Sequence, residues 1–247
     1  MTKRSGRTPA FRLLAFLVIP FMRVIGRYVI SGGSNIPAHG SFVITPNHFS
    51  NIDPLVIGLS VWRIGRAPRY LAKKSLWKAP VLGYFMRATG QVPVERTGTS
   101  RADPLRQARE IAASGEGVII YPEGSLTRDP DLWPMRGKTG AVRIALEAGL
   151  PLIPAAHWGT QRLMGMDNRL HLFPLRKLVR VRFGEPVDLD EFRGKPLDSA
   201  LLSAATSVVM RAITAELEAL RGETAPAVRW DPAAHGQSEI GRIEPPR

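Results

Sequence analysis

Short apolar runs alternate with amphipathic segments of helical period along most of this chain. Three apolar runs predict strands at residues 42–46, 117–121 and 152–157, and the first of them is rich in β-branched residues. A fourth predicted strand, residues 178–183, alternates apolar residues with arginines. The intervening patterns predict helices at residues 103–114, 141–148 and 198–220. Because strands alternate with helices, we expect an α/β domain with a mixed, largely parallel sheet flanked by helices.

The N-terminal pattern is different, because basic residues lead into a single apolar run. Lys3, Arg4, Arg7 and Arg12 precede residues 13–22, which carry no charge. A helix of this length spans about 15 Å and a bilayer core is about 30 Å thick, so the run is too short to cross it. No small-x-small cleavage site follows. We expect residues 1–30 to form an amphipathic helix in the membrane interface, although a helix covering a soluble core has the same periodicity.

Two further segments shape the expected domain organisation. Residues 74–87 form a second apolar helix pattern, which fits either a core-facing helix or another membrane-contacting element, bent at Pro80 and Gly83. From Gly222 onward, proline, alanine, glycine and charged residues predict a disordered tail. The α/β domain is therefore expected over residues 31–221, followed by a tail at 222–247.

Charge and composition restrict the partners and the chemistry. Lys and Arg number 34 against 21 for Asp and Glu, a net charge of +13, which indicates an anionic partner. An acidic phospholipid surface, coenzyme A phosphates, an acidic carrier protein and nucleic acid all meet this condition. The basic residues are dispersed and no nucleic-acid-binding motif is present, so we do not expect nucleic acid. With no cysteine, disulfides, thiolate zinc sites and cysteine nucleophiles are excluded.

The most informative polar segment follows the first of the buried strands. His48 and Asp53 are five positions apart across a turn, so the carboxylate can accept the imidazole N–H and leave the other ring nitrogen as a base. A second interpretation has no catalysis, since Asp before Pro54 is a good helix N-cap. The remaining histidines lack the spacing of metal ligands, and we predict no catalytic metal.

Other polar residues stand where α/β proteins place their sites. Glu123 and Gly124 come directly after a buried strand, although a simple turn with an exposed glutamate fits the same pattern. The Gly137-Lys-Thr-Gly segment opens a helix and can either hold a phosphate or serve as an ordinary helix start.

Four ordered blocks together give the chain a family resemblance. They are Asn47-His48-x-x-x-x-Asp53, Gly90 to Arg96, Tyr121-Pro-Glu-Gly-Ser125, and Pro151-Leu-Ile-Pro154. In this order, they resemble the glycerolipid acyltransferase family, whose best-known members make phosphatidic acid from 1-acylglycerol-3-phosphate. The resemblance covers about residues 25–190. It implies the glycerol-3-phosphate acyltransferase-like α/β fold, with His48 and Asp53 catalytic.

The resemblance also implies roles for the surrounding residues. Arg96 is expected to bind the acceptor phosphate, and the other expected substrate-binding residues are Asn47, Glu123, Gly124, Ser125, Arg128 and Lys74. Leu126 stands where the family commonly has arginine, so Arg128 is a substitute candidate.

The implied reaction needs no cofactor, only an acyl thioester co-substrate, either acyl-CoA or acyl carrier protein. No Gly-x-Ser-x-Gly nucleophile is present, so direct transfer to a lysophospholipid acceptor is expected. The expected location is the cytoplasmic face of the cell membrane, with peripheral or monotopic attachment to its anionic surface. Two alternatives stay open: the same chemistry on glycerol-3-phosphate, another lysophospholipid or a glycolipid, and a non-catalytic protein that binds anionic lipid.

Overall fold

The computed structural model describes residues 8–94 and 110–238, and within them seven strands form one sheet. The strands are β1 (Gly26–Ser31), β2 (Phe42–Pro46), β3 (Arg69–Lys73), β4 (Val92–Val94), β5 (Gly117–Ile119), β6 (Leu152–Trp158) and β7 (Lys177–Phe183). The helices are α1 (Pro9–Ile25), α2 (Asp53–Arg63), α3 (Pro80–Ala88), α4 (Gly140–Ala148) and α5 (Ser199–Arg221). The predicted helix at 103–114 is described only from residue 110, and residues 110–114 are helical.

The sheet has the order β1-β7-β6-β2-β5-β3-β4. All neighbouring strands are parallel except β6 and β7, which are antiparallel. The prediction of a mixed, largely parallel sheet is therefore confirmed. As a result, β2, β3, β5 and β6 finish at the same end of the sheet where β1 and β7 begin. We call this the upper end of the sheet.

The core lies on both faces of the sheet, which explains the uninterrupted apolar run in β2. Ile44 packs with residues of α1 and α2 on one face. Val43 packs with residues of α4 and α5 on the opposite face. Because side chains alternate across a strand, a strand buried on both sides is apolar at successive positions. Strand β7, which lies between β1 and β6, alternates instead, with Val181 buried and Arg182 exposed.

Helix α1 is longer than its apolar run and is only partly packed. Thr8 caps it by accepting a hydrogen bond from the Phe11 N–H at 3.3 Å, and the helix continues to Ile25. Three residues are buried, of which Met22 and Ile25 join the core. The exposed apolar residues are Leu13, Phe16, Leu17, Phe21 and Val24. The C-terminal part of α1 thus covers the core, while five of its apolar side chains are exposed.

The segment after β3 is divided as its proline predicts. Residues Lys74–Lys78 form a 3-10 turn, and Pro80 then begins α3. Gly83 is the buried residue of α3. It packs closely against the backbone of Trp77, since a Cβ at this position would lie 2.2 Å from the Trp77 carbonyl oxygen. Val81 is 73% exposed and Tyr84 59%. The core-facing interpretation of this helix is therefore wrong, because Val81, Leu82 and Tyr84 lie at the surface and Phe85 and Met86 are only half-buried.

The C-terminal region follows a defined path as far as Ser238, which differs from the disordered tail predicted after residue 222. Gly222 ends α5 in the left-handed conformation, and the Ala225 N–H then donates to Glu218 at 2.7 Å. Farther on, the Trp230 and His235 rings stack with centroids 3.6 Å apart. Residues 239–247 lie outside the described part of the chain.

Helix α5 has the length and hydropathy needed to cross a membrane, and no other helix in the described residues meets both conditions. It packs against β6, and seven of its residues are buried. Its apolar composition is that of a core helix.

The N-terminus of α5 provides a test of local stability. The Asp198 carboxylate accepts a hydrogen bond from the Leu201 N–H at 2.8 Å. Asp198→Ala removes this cap and is expected to cost about 1 kcal/mol, lowering the melting temperature by about 2–4 °C. The control is Glu185→Ala, at an exposed position outside any helix. Equal melting temperatures for the two variants would show that the cap does not stabilise the protein.

Candidate active site

A six-residue loop joins β2 to α2 at the upper end of the sheet. Pro46 ends the strand, and Pro54 lies in the first turn of the helix. The N-cap position is occupied by Ile52, which makes no side-chain capping bond. Asp53 is the first helical residue, and its carboxylate turns back toward the preceding loop. The N-cap interpretation of Asp53 is therefore wrong.

His48 and Asp53 form the predicted pair. The distance from His48 Nδ1 to Asp53 Oδ2 is 3.0 Å. The same oxygen accepts hydrogen bonds from the N–H groups of Phe49 at 2.9 Å and Ser50 at 2.8 Å. Because an ionised carboxylate can only accept, Nδ1 carries the proton and Nε2 of His48 keeps its lone pair. The ring is oriented as a base.

The environment of Asp53 keeps its carboxyl group ionised. The side chain is fully buried, and burial alone would raise the pKa of Asp53. The nearby His157 ring and the hydrogen bond from His48 outweigh burial, so the pKa lies below its ordinary value. The His48 side chain is 15% exposed, so the base can be reached from outside while its partner cannot.

His157 is a member of the site that the sequence did not single out. It lies at the upper end of β6, fully buried, with Nε2 3.5 Å from Asp53 Oδ2. The same nitrogen lies 2.9 Å from the Asn47 carbonyl oxygen, which can only accept, so Nε2 is protonated. Nδ1 then accepts a hydrogen bond from the Thr160 hydroxyl at 3.3 Å. Burial lowers the pKa of His157, which is neutral at neutral pH and donates toward Asp53.

Asn47 was predicted to bind substrate, but its side chain is buried and bonded to the protein backbone. Its Nδ2 donates to the His157 carbonyl at 3.2 Å, and its Oδ1 accepts from the His157 N–H at 2.9 Å. The side chain is 1% exposed. Both amide groups are thus used to hold the 47–52 loop against β6, and Asn47 is a positioning residue instead of a substrate contact.

Glu123 also lies beneath the loop instead of facing a substrate. Oε1 accepts from the His48 N–H at 2.9 Å, and Oε2 accepts from the Met135 N–H at 3.0 Å. Burial raises the pKa of Glu123 to about 8, although these two N–H groups oppose that rise. The exposed-turn interpretation and the substrate-contact interpretation are both wrong, because the carboxyl group connects the His48 backbone to the 134–136 segment.

The 121–127 turn encloses His48 on another side. The Tyr121 and His48 rings are 4.1 Å apart between centroids, and the Thr127 N–H donates to the His48 carbonyl at 2.7 Å. Gly124 has φ of +73°, and a Cβ there would lie 3.0 Å from Cδ of Lys138. Ser125 Oγ donates to the Leu126 carbonyl. Gly124 and Ser125 are thus in the turn beside His48.

The basic residues that were predicted to bind substrate lie in different environments. Arg128 is buried and its Nε donates to the Ser238 carbonyl at 3.1 Å, so it contacts the C-terminal segment. Lys74 is exposed just after β3, at the upper end of the sheet. Arg96 lies outside the described residues. Lys138 comes close to Gly124 and was not predicted individually, although the Gly137-Lys-Thr-Gly pattern indicated its segment.

The residues that the structure describes contain no group of three or more His, Asp or Glu side chains placed to hold a metal ion. The chemistry available at this loop is proton transfer by His48, oriented by an ionised and buried Asp53.

Comparison with known proteins defines the class of this protein. Residues 27–158 match the family model described as Acyltransferase, so the chain belongs to that family. Among the relatives, the 1-acyl-sn-glycerol-3-phosphate acyltransferase of Bacillus subtilis is 30% identical over 177 residues, which cover 72% of this chain and 82% of that protein.

A second relative is a chloroplastic 1-acyl-sn-glycerol-3-phosphate acyltransferase of Brassica napus. It is 31% identical over 177 residues, covering 69% of this chain and 50% of that protein, so the alignment spans about half of the relative's length. The crystal structure of the 1-acyl-sn-glycerophosphate acyltransferase of Thermotoga maritima matches with a TM-score of 0.61 and 24% identity, over 92% of this chain and 86% of that chain. That likeness confirms the fold.

The raised pKa of Glu123 leads to a prediction about stability and pH. The pKa of about 8 lies above the ordinary value of 4.5, so the unfolded state loses this proton first as the pH rises. The stabilisation is complete below pH 4.5 and is lost as the pH rises through 8. Glu123→Gln cannot titrate, so its melting temperature should fall less than that of the wild type over this range, by on the order of 10 °C.

Wild type and Glu123→Gln are compared by the slope of melting temperature against pH and not by the melting temperature itself. The reason is that an amide N–H₂ facing the Met135 or His48 N–H also lowers the stability of the variant. Glu185→Gln, at an exposed position, is the control. Parallel pH curves for wild type and Glu123→Gln would show that Glu123 ionises normally.

Proposed function

We propose that this protein transfers a fatty acyl group from an acyl thioester to the sn-2 hydroxyl of 1-acylglycerol-3-phosphate, giving phosphatidic acid in phospholipid biosynthesis. The observation that carries the proposal is the 3.0 Å contact between His48 Nδ1 and the buried Asp53 carboxylate, a geometry that leaves Nε2 to act as a base. The acceptor is suggested by the names of the relatives in Bacillus subtilis and Brassica napus. The donor is either acyl-CoA or acyl carrier protein.

The reaction proceeds by direct transfer. His48 Nε2 removes the proton from the acceptor hydroxyl as the oxygen attacks the thioester carbonyl carbon. The tetrahedral intermediate then breaks its carbon–sulfur bond, and the departing thiolate takes the proton from His48. An ester and a free thiol are formed, and the enzyme returns to its starting state without a covalent intermediate.

Asp53 makes the proton transfer favourable. When His48 becomes an imidazolium, its new charge lies 3.0 Å from an ionised carboxylate that is shielded from water. Electrostatic stabilisation is strongest where the surroundings are already ordered and dry. The two loop N–H groups and the His157 ring keep that carboxylate in place throughout the reaction. This arrangement favours catalysis over simple lipid binding, which has no need of an oriented base.

Recognition of an anionic acceptor is assigned to three basic residues. Arg96, by its match to the family motif, is proposed to bind the acceptor phosphate through its forked guanidinium group. Lys74 and Lys138 supply further charge at the upper end of the sheet.

The location proposed for the protein is the cytoplasmic face of the cell membrane, with peripheral or monotopic attachment. Residues 8–30 and 69–94 contain no aspartate or glutamate, and they include α1 and α3 with their exposed apolar side chains. Apolar side chains flanked only by cations are the features that bind anionic lipid surfaces.

Substitution of the pair tests the mechanism. His48→Ala is expected to lower kcat about 10²- to 10⁴-fold, because the general base is lost. Asp53→Asn is expected to lower kcat on the order of 10³-fold, because an amide no longer fixes the imidazole tautomer or stabilises its charge. Phosphatidic acid formation from acyl-CoA and 1-acylglycerol-3-phosphate is measured by mass spectrometry.

His39→Ala is the matched control, since His39 is exposed and precedes β2, at the opposite end of that strand from the loop. Circular dichroism verifies that each variant is folded. A folded His48→Ala protein with near-normal turnover would rule out His48 as the base.

Arg96→Ala tests the acceptor assignment. The loss of kcat/KM is expected to be about ten-fold or more with the phosphorylated acceptor and much smaller with an uncharged monoacylglycerol, because the lost contact is charge-assisted. Arg193→Ala, which removes an exposed arginine paired with Asp190, controls for net charge. Equal losses with both acceptors would remove Arg96 from phosphate recognition.

A further inference from the structure

A short surface loop carries an unusual concentration of exposed apolar side chains. The loop comprises residues 168–176 and precedes β7. Its exposed apolar residues are Leu170 at 39%, Leu172 at 41%, Phe173 at 79% and Leu175 at 48%. Single exposed apolar residues are common on proteins, but four within six positions form a patch that indicates an interaction surface.

The loop is held firmly to the active-site loop. The Ser50 hydroxyl donates to the Met164 carbonyl at 2.7 Å, just before the 168–176 loop, and Asn51 donates to the side chain of Asn168. Ser50 also donates its backbone N–H to the catalytic Asp53. The 168–176 loop and the His48–Asp53 pair are therefore connected through adjacent residues of a single segment.

The other side of the loop is attached to α1. The Arg176 N–H donates to the Val24 carbonyl at 3.2 Å, near the end of that helix. Strands β1 and β7 then run in parallel from Gly26 and Lys177. Because β1 and β7 begin at the upper end, the loop, the end of α1 and the catalytic loop are all located there. The segment Lys74–Lys78 and α3 follow β3 from the same end.

The charges around the loop select one kind of partner. Residues 168–177 contain Arg169, Arg176 and Lys177 and no aspartate or glutamate. The Arg169 side chain is 84% exposed, and its Nε lies 3.9 Å from the carboxylate of Asp167, the residue just before the loop. Exposed apolar side chains flanked by cations are suited to an anionic phospholipid surface. The apolar side chains enter the acyl region, and the cations contact the phosphate headgroups.

We propose that the 168–176 loop inserts into the anionic membrane surface beside α1 and sets the height of His48 above the lipid headgroups. Phe173 and Leu172 enter the acyl region, while Arg169 and Lys177 contact phosphates. Through Ser50 and Asn51, the inserted loop positions the base so that a lipid acceptor reaches it without leaving the membrane. The insertion stands by itself, whereas the delivery of the acceptor rests on the function proposed above.

The insertion is tested with the full chain and two kinds of vesicle, one of phosphatidylcholine alone and one of equimolar phosphatidylcholine and phosphatidylglycerol. Leu172→Ser/Phe173→Ser is compared with Val228→Ser, which changes an 83% exposed residue on the C-terminal segment. In flotation assays, the double variant is expected to bind the anionic vesicles about ten-fold or more weakly, because two apolar side chains no longer enter the lipid. Val228→Ser should bind as the wild type does.

A second measurement separates insertion from a structural effect on the site. The double variant should lose turnover about as much as it loses binding when the acceptor is embedded in anionic vesicles. With a short-chain, water-soluble lysophosphatidate, it should keep turnover within about two-fold of the wild type, because His48 and Asp53 are unchanged. Arg169→Ala should weaken binding to anionic vesicles and leave binding to phosphatidylcholine vesicles unchanged.

Several results would overturn the proposal. Wild-type binding by the double variant would show that the loop does not insert. Equal loss of turnover with both acceptors would show that the loop shapes the catalytic site. Self-association of the wild type in solution that the double variant abolishes would assign the patch to a contact between copies of the chain. Absence of wild-type turnover with either acceptor would refute the proposed function and the delivery step, while flotation would still decide insertion.

Discussion

The buried negative charge of Asp53 is the constraint on which the site depends. A carboxylate removed from water is stable only if hydrogen bonds replace its hydration. Here one oxygen receives the His48 ring and two loop N–H groups, with the His157 ring nearby. These donors fix the loop conformation, the ring orientation and the tautomer together. The same contacts that make the buried charge tolerable therefore make His48 a base.

The sheet topology explains how distant parts of the chain meet around that charge. Strand β2 lies between β5 and β6, and all three are parallel, so their carboxyl ends are adjacent. Strand β6 brings His157 to one side of the loop, and the segment after β5 brings Glu123 to the other. Neither residue needs to face a substrate, because each contributes by holding the loop backbone or the carboxylate. The upper end of the sheet thus holds His48 and Asp53 in a fixed arrangement.

The sequence predicted the sheet class and the central pair because both depend on local patterns. Strand β2 has a continuous apolar run, and His48 and Asp53 lie within one turn. Asn47 and Glu123 were assigned to the substrate because a motif shows which residues occur together, not which atoms they contact. Their partners are backbone groups of His157, Met135 and His48 itself. His157 was missed for the same reason, since its role depends on strand adjacency. The surface position of α3 depends equally on neighbours that periodicity does not reveal.

The position of the base relative to lipid and water sets the conditions for the proposed chemistry. An acyl thioester can be attacked by water as well as by the acceptor hydroxyl, so an efficient transferase has to favour the acceptor at the base. His48 is 15% exposed and is enclosed by Tyr121 and the 121–127 turn, which limits the approach of solvent. A lipid acceptor held at the membrane has a high local concentration and a restricted orientation, both of which favour its attack. In the proposed function, apolar and cationic segments at the same end of the sheet as His48 therefore serve selectivity as well as attachment.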